Sequence, residues 1–116
     1  MLVHATPMGN GIVFAAVLWA AWIVPGGAAD SPVEPRRGEL VNMVRQDCGS
    51  CHGLTMKGGL GPALLPSVIS AKDPEQLRFV ILHGRRGTAM PPWSRFLSEA
   101  EAAWVVEMLR AGLPRE

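Results

Sequence analysis

The only two cysteines of the chain stand three positions apart and are followed at once by a histidine, in Cys48-Gly49-Ser50-Cys51-His52. No other feature restricts so strongly what the chain can fold around. On a helical turn, positions i, i+3 and i+4 share one face. The segment therefore presents two thiols and one imidazole to a single object beside it. Gly49 and Ser50 are small, so that object can come close to the backbone. A disulfide between residues so near in sequence closes almost no loop and would stabilise little.

Three chemistries use cysteine pairs at this spacing. A thioredoxin-type dithiol needs a strand–helix setting that the surrounding sequence lacks. A structural zinc site wants about four Cys or His ligands. Beyond residue 30 the chain offers only Cys48, Cys51, His52 and His83, at separations unlike those of a zinc finger. C-x-x-C-H is also the attachment signature of c-type haem. There each thiol adds to one vinyl group of the porphyrin, and the histidine turns its imidazole to the iron. Haem is the reading that best fits the rest of the chain.

The first 29 residues read apart from the others. Met1 to Ala29 contain no Lys, Arg, Asp or Glu, and an apolar run from Ile12 to Val24 gives way to Pro25, two glycines and Ala28-Ala29. This is the pattern of a secretory signal peptide cleaved near Ala29. The run is shorter than the roughly 20 residues a membrane-spanning helix requires, although an uncleaved anchor is the alternative. The expected organisation is a signal peptide over 1–29 and one mature domain over 30–116. That domain would be exported and monomeric, with no membrane segment. All 11 basic and all 10 acidic residues lie in it, for a formal net charge of +1. So even a balance leaves no basic footprint for nucleic acid.

Within the mature part the patterning is helical. Gly38 to Asp47 reads as a helix running into Cys48, with Leu40, Met43 and Val44 on one face. Gly53 to Ala71 is rich in Gly, Pro and Ser and reads as loop. Asp73 caps a second helix, with Pro74 first inside it, an apolar face of Leu77, Val80 and Ile81, and Gly84 at its end. A second loop covers Arg85 to Leu97. The last helix opens with Ser98-x-x-Glu101 and stops at Gly112 and Pro114, with Trp104, Val105, Met108 and Leu109 as its stripe. No segment alternates at period two, so no sheet is expected. Loops of this length are unusual in a small domain, and a haem between them would account for both.

The far side of the iron decides the activity. A Met or His there gives a closed, six-coordinate site suited to electron transfer, whereas an empty position suits gas or peroxide chemistry. Met43 and Met108 lie on apolar helix faces and read as core. Met56 follows His52 too closely to round the porphyrin edge with ease. Met90 is the preferred ligand, in the loop Gly87-Thr88-Ala89-Met90-Pro91-Pro92-Trp93, where two prolines stiffen the backbone. His83 is the alternative. Trp93 is either packed on the macrocycle or a surface aromatic. Arg85, Arg86 and Arg95 are either solvated, paired with haem propionates, or turned to an acidic partner.

These marks together resemble the class I cytochrome c family. The helix ending in Cys48–His52, the Gly61-Pro62 pair, the Met90-Pro91 loop and the C-terminal helix from Ser98 to Ala111 match its pattern along essentially the whole mature chain. The resemblance implies an all-α fold of about three to four helices around one covalently bound haem c. Cys48 and Cys51 would form the thioethers, and His52 and Met90 would be the axial ligands. The Pro62 carbonyl would accept the His52 Nδ1–H. The first helix departs from the pattern, since Val44 stands where an aromatic is usual and Gly38 is offset.

Arg45–Gly53, Lys57–Pro62 and Met90–Trp93 with Leu97–Glu101 further resemble small cytochromes of NirC type, which accompany the haem-d1 nitrite reductase. That likeness implies a non-enzymatic, periplasmic electron carrier in denitrification. Its redox partner would be nitrite reductase. The alternatives are a factor in maturing the d1 haem, or a five-coordinate sensor or peroxidase.

Overall fold

A computed structural model describes residues 31–115 of the chain. The expected signal peptide lies outside them. The described residues contain helices and no strand: α1 (Arg36–Met43), α2 (Gly49–His52), α3 (Pro66–Ile69), α4 (Pro74–His83) and α5 (Glu99–Ala111). None of these helices is long and apolar enough to cross a membrane.

α1 and α2 form one continuous helical segment through a π-helical turn, Val44–Cys48, in which the Gly49 N–H reaches back to Val44 O. A π turn carries an extra residue and is frequent at functional sites. The insertion rotates the residues beyond it by about 100° around the axis. The inward phase therefore runs Leu40, Val44, Gly49, all buried, and Cys48 and Cys51 are left half-buried. In an unbroken α-helix Cys48 would have continued the Leu40–Val44 stripe. Gly49 suits the inward position because a Cβ there would already touch Leu54 and the Met56 methyl at 3.4 Å.

The expected caps are present. Asp73 accepts the N–H groups of Glu75 and Gln76, each at 3.3 Å, and Pro74 opens α4. Ser98 and Glu101 close a reciprocal capping box on α5. Such caps satisfy backbone donors that have no partner within the helix. Gly84 and Gly112 end α4 and α5 at positive φ. Two features differ from expectation. The segment 53–71 is not all loop, because Pro66 starts the short helix α3. On α4 the buried residue is Leu82, while Leu77, Val80 and Ile81 are half-buried.

Two apolar clusters hold the helices together. Val44, Met56, Ile69, Val105, Met108 and Leu109 form one; Leu40, Leu82, Leu97 and Ala102 form the other. Trp104 packs against both from a half-buried position. The first and last helices meet through Leu40 and Val44, each fully buried and contributing about 2 kcal/mol. Val44 fills the place usually aromatic without loss of this contact. At the rim, Arg36 Nε donates to Glu101 at 2.5 Å, and its Nη2 donates to Phe96 O at 2.9 Å.

Candidate functional site

The imidazole of His52 is 9% exposed. Its Nδ1 lies 2.7 Å from the carbonyl oxygen of Pro62. A carbonyl can only accept, so Nδ1 carries the proton and donates, and Nε2 keeps the lone pair. A ligating histidine needs this tautomer with its other ring nitrogen held by an acceptor. The loop delivers Pro62 through backbone bonds: His52 O accepts Gly58 N–H at 2.8 Å, and Cys51 O accepts Gly61 N–H at 2.8 Å. Gly61 is sterically required. A Cβ there would stand 2.7 Å from His52 Cε1 and 2.8 Å from Nδ1. The ring thus lies flush against the Gly61 backbone.

Cys48 and Cys51 are both free thiols. Burial, and then the nearby Asp47 carboxylate, push the Cys48 thiol up to about 11, so it stays protonated at neutral pH. Among the described residues no three His, Cys, Asp or Glu side chains converge as a metal cluster. A structural zinc site has no such support here, and the two thiols are not joined as a disulfide. Two unbonded thiols on one turn, beside an imidazole with a free Nε2 and a glycine cradle, are a donor set that fits haem c.

Met90 is half-buried. Its loop folds back on the end of α4. Met90 O accepts Arg85 N–H at 3.2 Å, and Met90 N–H donates to Thr88 Oγ1 at 3.3 Å. Farther along, Trp93 N–H donates to Ile81 O at 3.0 Å and Ser94 N–H to Leu82 O at 3.2 Å. Gly84, at φ +70°, makes room for this return, since a Cβ there would lie 2.7 Å from Met90 O and 2.8 Å from Pro91 C. The other thioethers differ in setting. Met56 is 3% exposed and belongs to the core at φ +60°; Met108 is core as expected, and Met43 is half-buried against Leu40 and its neighbours. His83 is exposed and lies against Phe79, with ring centroids 4.4 Å apart and the planes tilted by 43°. Trp93 packs on the Leu40 cluster and faces Phe96 at 5.7 Å. Sequence reasoning missed the π turn, the inward role of Gly49 and the contact that reserves position 84 for glycine. Gly61 was visible only as half of a Gly-Pro pair.

A helical segment that carries two thiols and a polarised histidine, closed by a returning C-terminal helix, defines a c-type cytochrome fold. Residues 35–109 match the family described as cytochrome c oxidase, cbb3-type, subunit III, and the chain belongs to this family of c-type cytochromes. Its relatives narrow the type. The chain is 43% identical over 109 residues to cytochrome c55X of Pseudomonas aeruginosa, covering 94% of this chain and 87% of that protein. It is 48% identical over 81 residues to cytochrome c55X of Paracoccus denitrificans, covering 70% and 79%. The solved structure of the c-type cytochrome NirC superposes with a TM-score of 0.67 at 46% identity, covering 69% of this chain and 94% of that one. The chain is therefore a cytochrome c of NirC type. A fourth likeness is partial. The dihydro-heme d1 dehydrogenase NirN, solved in complex with DHE, matches at 44% identity and a TM-score of 0.57. It covers 65% of this chain but only 16% of NirN.

Proposed function

We propose that this protein is an exported, periplasmic carrier of single electrons, not an enzyme, that serves the haem-d1 nitrite reductase system. In this reading Cys48 and Cys51 would anchor one haem c, and His52 and Met90 would hold its iron. Bound there, haem c supplies a one-electron ferric/ferrous couple. The chain's own residues supply the rest. Pro62 fixes the proton on His52 Nδ1 and raises the basicity of Nε2. The hydrogen-bonded loop around Met90 would hold its thioether as a weak ligand. The single observation that carries the reading is the 2.7 Å contact between His52 Nδ1 and Pro62 O, which leaves a buried imidazole set up as a ligand.

Two partners within that system compete. The motifs of the sequence serve either role, and the likeness to NirC-type cytochromes supports donation to nitrite reductase. The likeness to a part of NirN favours a second role, in which the protein takes electrons from a dehydrogenase that matures the d1 haem. A dehydrogenation releases two electrons and two protons, so two molecules of a one-haem carrier would be reduced per turnover, with the protons passing to water. Stopped-flow mixing separates the two. Reduced protein is mixed with oxidised nitrite reductase, and oxidised protein with the dehydrogenase and its dihydro-haem substrate. Transfer to the reductase too slow for its turnover excludes the donor role. No reduction by the dehydrogenase excludes the second.

A further inference from the structure

One groove of the molecule has no part in the site described above. It has a volume of about 640 Å³ and lies between the loop after His52 and the C-terminal tail. None of Cys48, Cys51, His52 or Met90 lines it. Its volume falls within the range of small-molecule sites, roughly 300–1,000 Å³.

Both walls are tied to the fold. On one side Met56 N–H donates to Gly53 O at 2.8 Å, and Leu64 N–H donates to Met56 O at 2.9 Å. On the other side the tail turns at Gly112, with φ +102°, and Arg45 Nη2 donates to Pro114 O at 2.5 Å. Between them the lining is apolar. Leu64, Leu65 and Leu113 pack against the Val44 cluster and line the groove together with Met56 and Pro66. Leu54, which also lines it, is 65% exposed, so apolar surface there is left facing water.

The charge of the groove is of one sign. Lys57 lines it from the first wall and Arg115 from the tail. Both are exposed, and no hydrogen bond or ion pair engages either side chain among the described residues. No Asp or Glu among the described residues lines the groove. An apolar bed between two unpaired cations matches an apolar molecule that carries two carboxylates. The body displaces water from the leucines, and the carboxylates meet an ammonium and a guanidinium group. A molecule with a single carboxylate would leave one cation unmet.

We propose that this groove is a binding site for a tetrapyrrole, held through two of its carboxylates by Lys57 and Arg115. A tetrapyrrole joins a broad apolar body to ionised carboxylates at its periphery. The choice of a tetrapyrrole rests on the second role proposed above, in which the protein serves the enzyme that matures the d1 haem. The two-carboxylate chemistry rests on the groove alone.

The test uses the haem-loaded protein, so that the haem site is filled, and mesoporphyrin IX as the probe. Quenching of the porphyrin fluorescence should show saturable, one-to-one binding. The double variant Lys57→Glu, Arg115→Glu reverses both charges at exposed positions and should weaken binding about tenfold or more. Leu54→Asp, also at an exposed position, should weaken it as well. Arg86→Glu, which does not line the groove, should leave the affinity unchanged. A porphyrin bearing four cationic pyridinium groups should not compete. Absence of saturable binding, or equal affinity in the wild type and the double variant, would overturn the proposal. So would displacement of mesoporphyrin by an equimolar amount of palmitate, since one carboxylate on an acyl chain would then suffice. The stopped-flow experiment with the dehydrogenase reports separately on the role. Reduction without porphyrin binding removes the groove and keeps the role, whereas binding without reduction keeps the groove and removes the role.

Discussion

His52 and Pro62 are joined by a 2.7 Å hydrogen bond from the imidazole Nδ1–H to the prolyl carbonyl, and Gly61 between them leaves no room for a side chain. Gly61→Ala would drive a methyl group into the ring. Overpacking of this kind costs about 1–3 kcal/mol. The variant should unfold at correspondingly lower denaturant and show an altered haem spectrum. Wild-type values for both would contradict the contact.

Gly84 makes the matching prediction for the other side. At φ +70°, with a Cβ position 2.7 Å from Met90 O, alanine there must displace the Met90–Pro92 backbone. With Met90 as the proposed ligand, its sulfur should then yield more readily to added imidazole. About tenfold less imidazole should suffice, equivalent to about 1.4 kcal/mol. Titration followed by absorption measures this directly, and an unchanged midpoint would count against a link between Gly84 and the ligand loop.

Met56 separates core from ligand. It is 3% exposed among Val44, Ile69, Val105 and Met108, so Met56→Ala should cost about 2–4 kcal/mol in a denaturant melt. The same variant should keep the long-wavelength ferric band that reports sulfur–iron bonding. Loss of that band would make Met56 the ligand.

Acid should loosen the clasp between the first and last helices. The Arg36 guanidinium, and then the Ser98 backbone N–H, hold the Glu101 carboxyl below its ordinary value of 4.5. A carboxylate with a depressed folded value adds stability that is fully present above the unfolded value and lost as pH falls through the folded one. Glu101→Gln keeps a capping side chain but removes the charge. It should be less stable than wild type at neutral pH and converge with it in strong acid. A constant difference at all pH values would show that the charge is not the cause.

The parts of this architecture that were legible in the sequence are those fixed by neighbours along the chain. Asp73-Pro74 and Ser98-x-x-Glu101 mark helix starts, and Gly84 and Gly112 mark ends, because each acts on backbone groups a few residues away. The motif at Cys48–His52 was legible for the same reason. The π turn was not, since Val44–Cys48 contains neither Gly nor Pro and its geometry answers to Leu40 and Val44 packing against distant residues. Nor could the sequence show why positions 61 and 84 must be glycine. In each case the obstacle, His52 or the Met90–Pro92 backbone, is brought back by the path of an irregular loop, which no periodic pattern reveals. The helix that Pro66 opens was hidden because four residues are too few to give a periodic pattern.

The central claim is a haem iron held between His52 and Met90. Ferric absorption spectra of the purified mature protein, of Met90→Ala and of Met56→Ala test it most directly. The account predicts a sulfur–iron band in the wild type and in Met56→Ala, and its loss in Met90→Ala. Absence of the band in the wild type, or its survival in Met90→Ala, would contradict it.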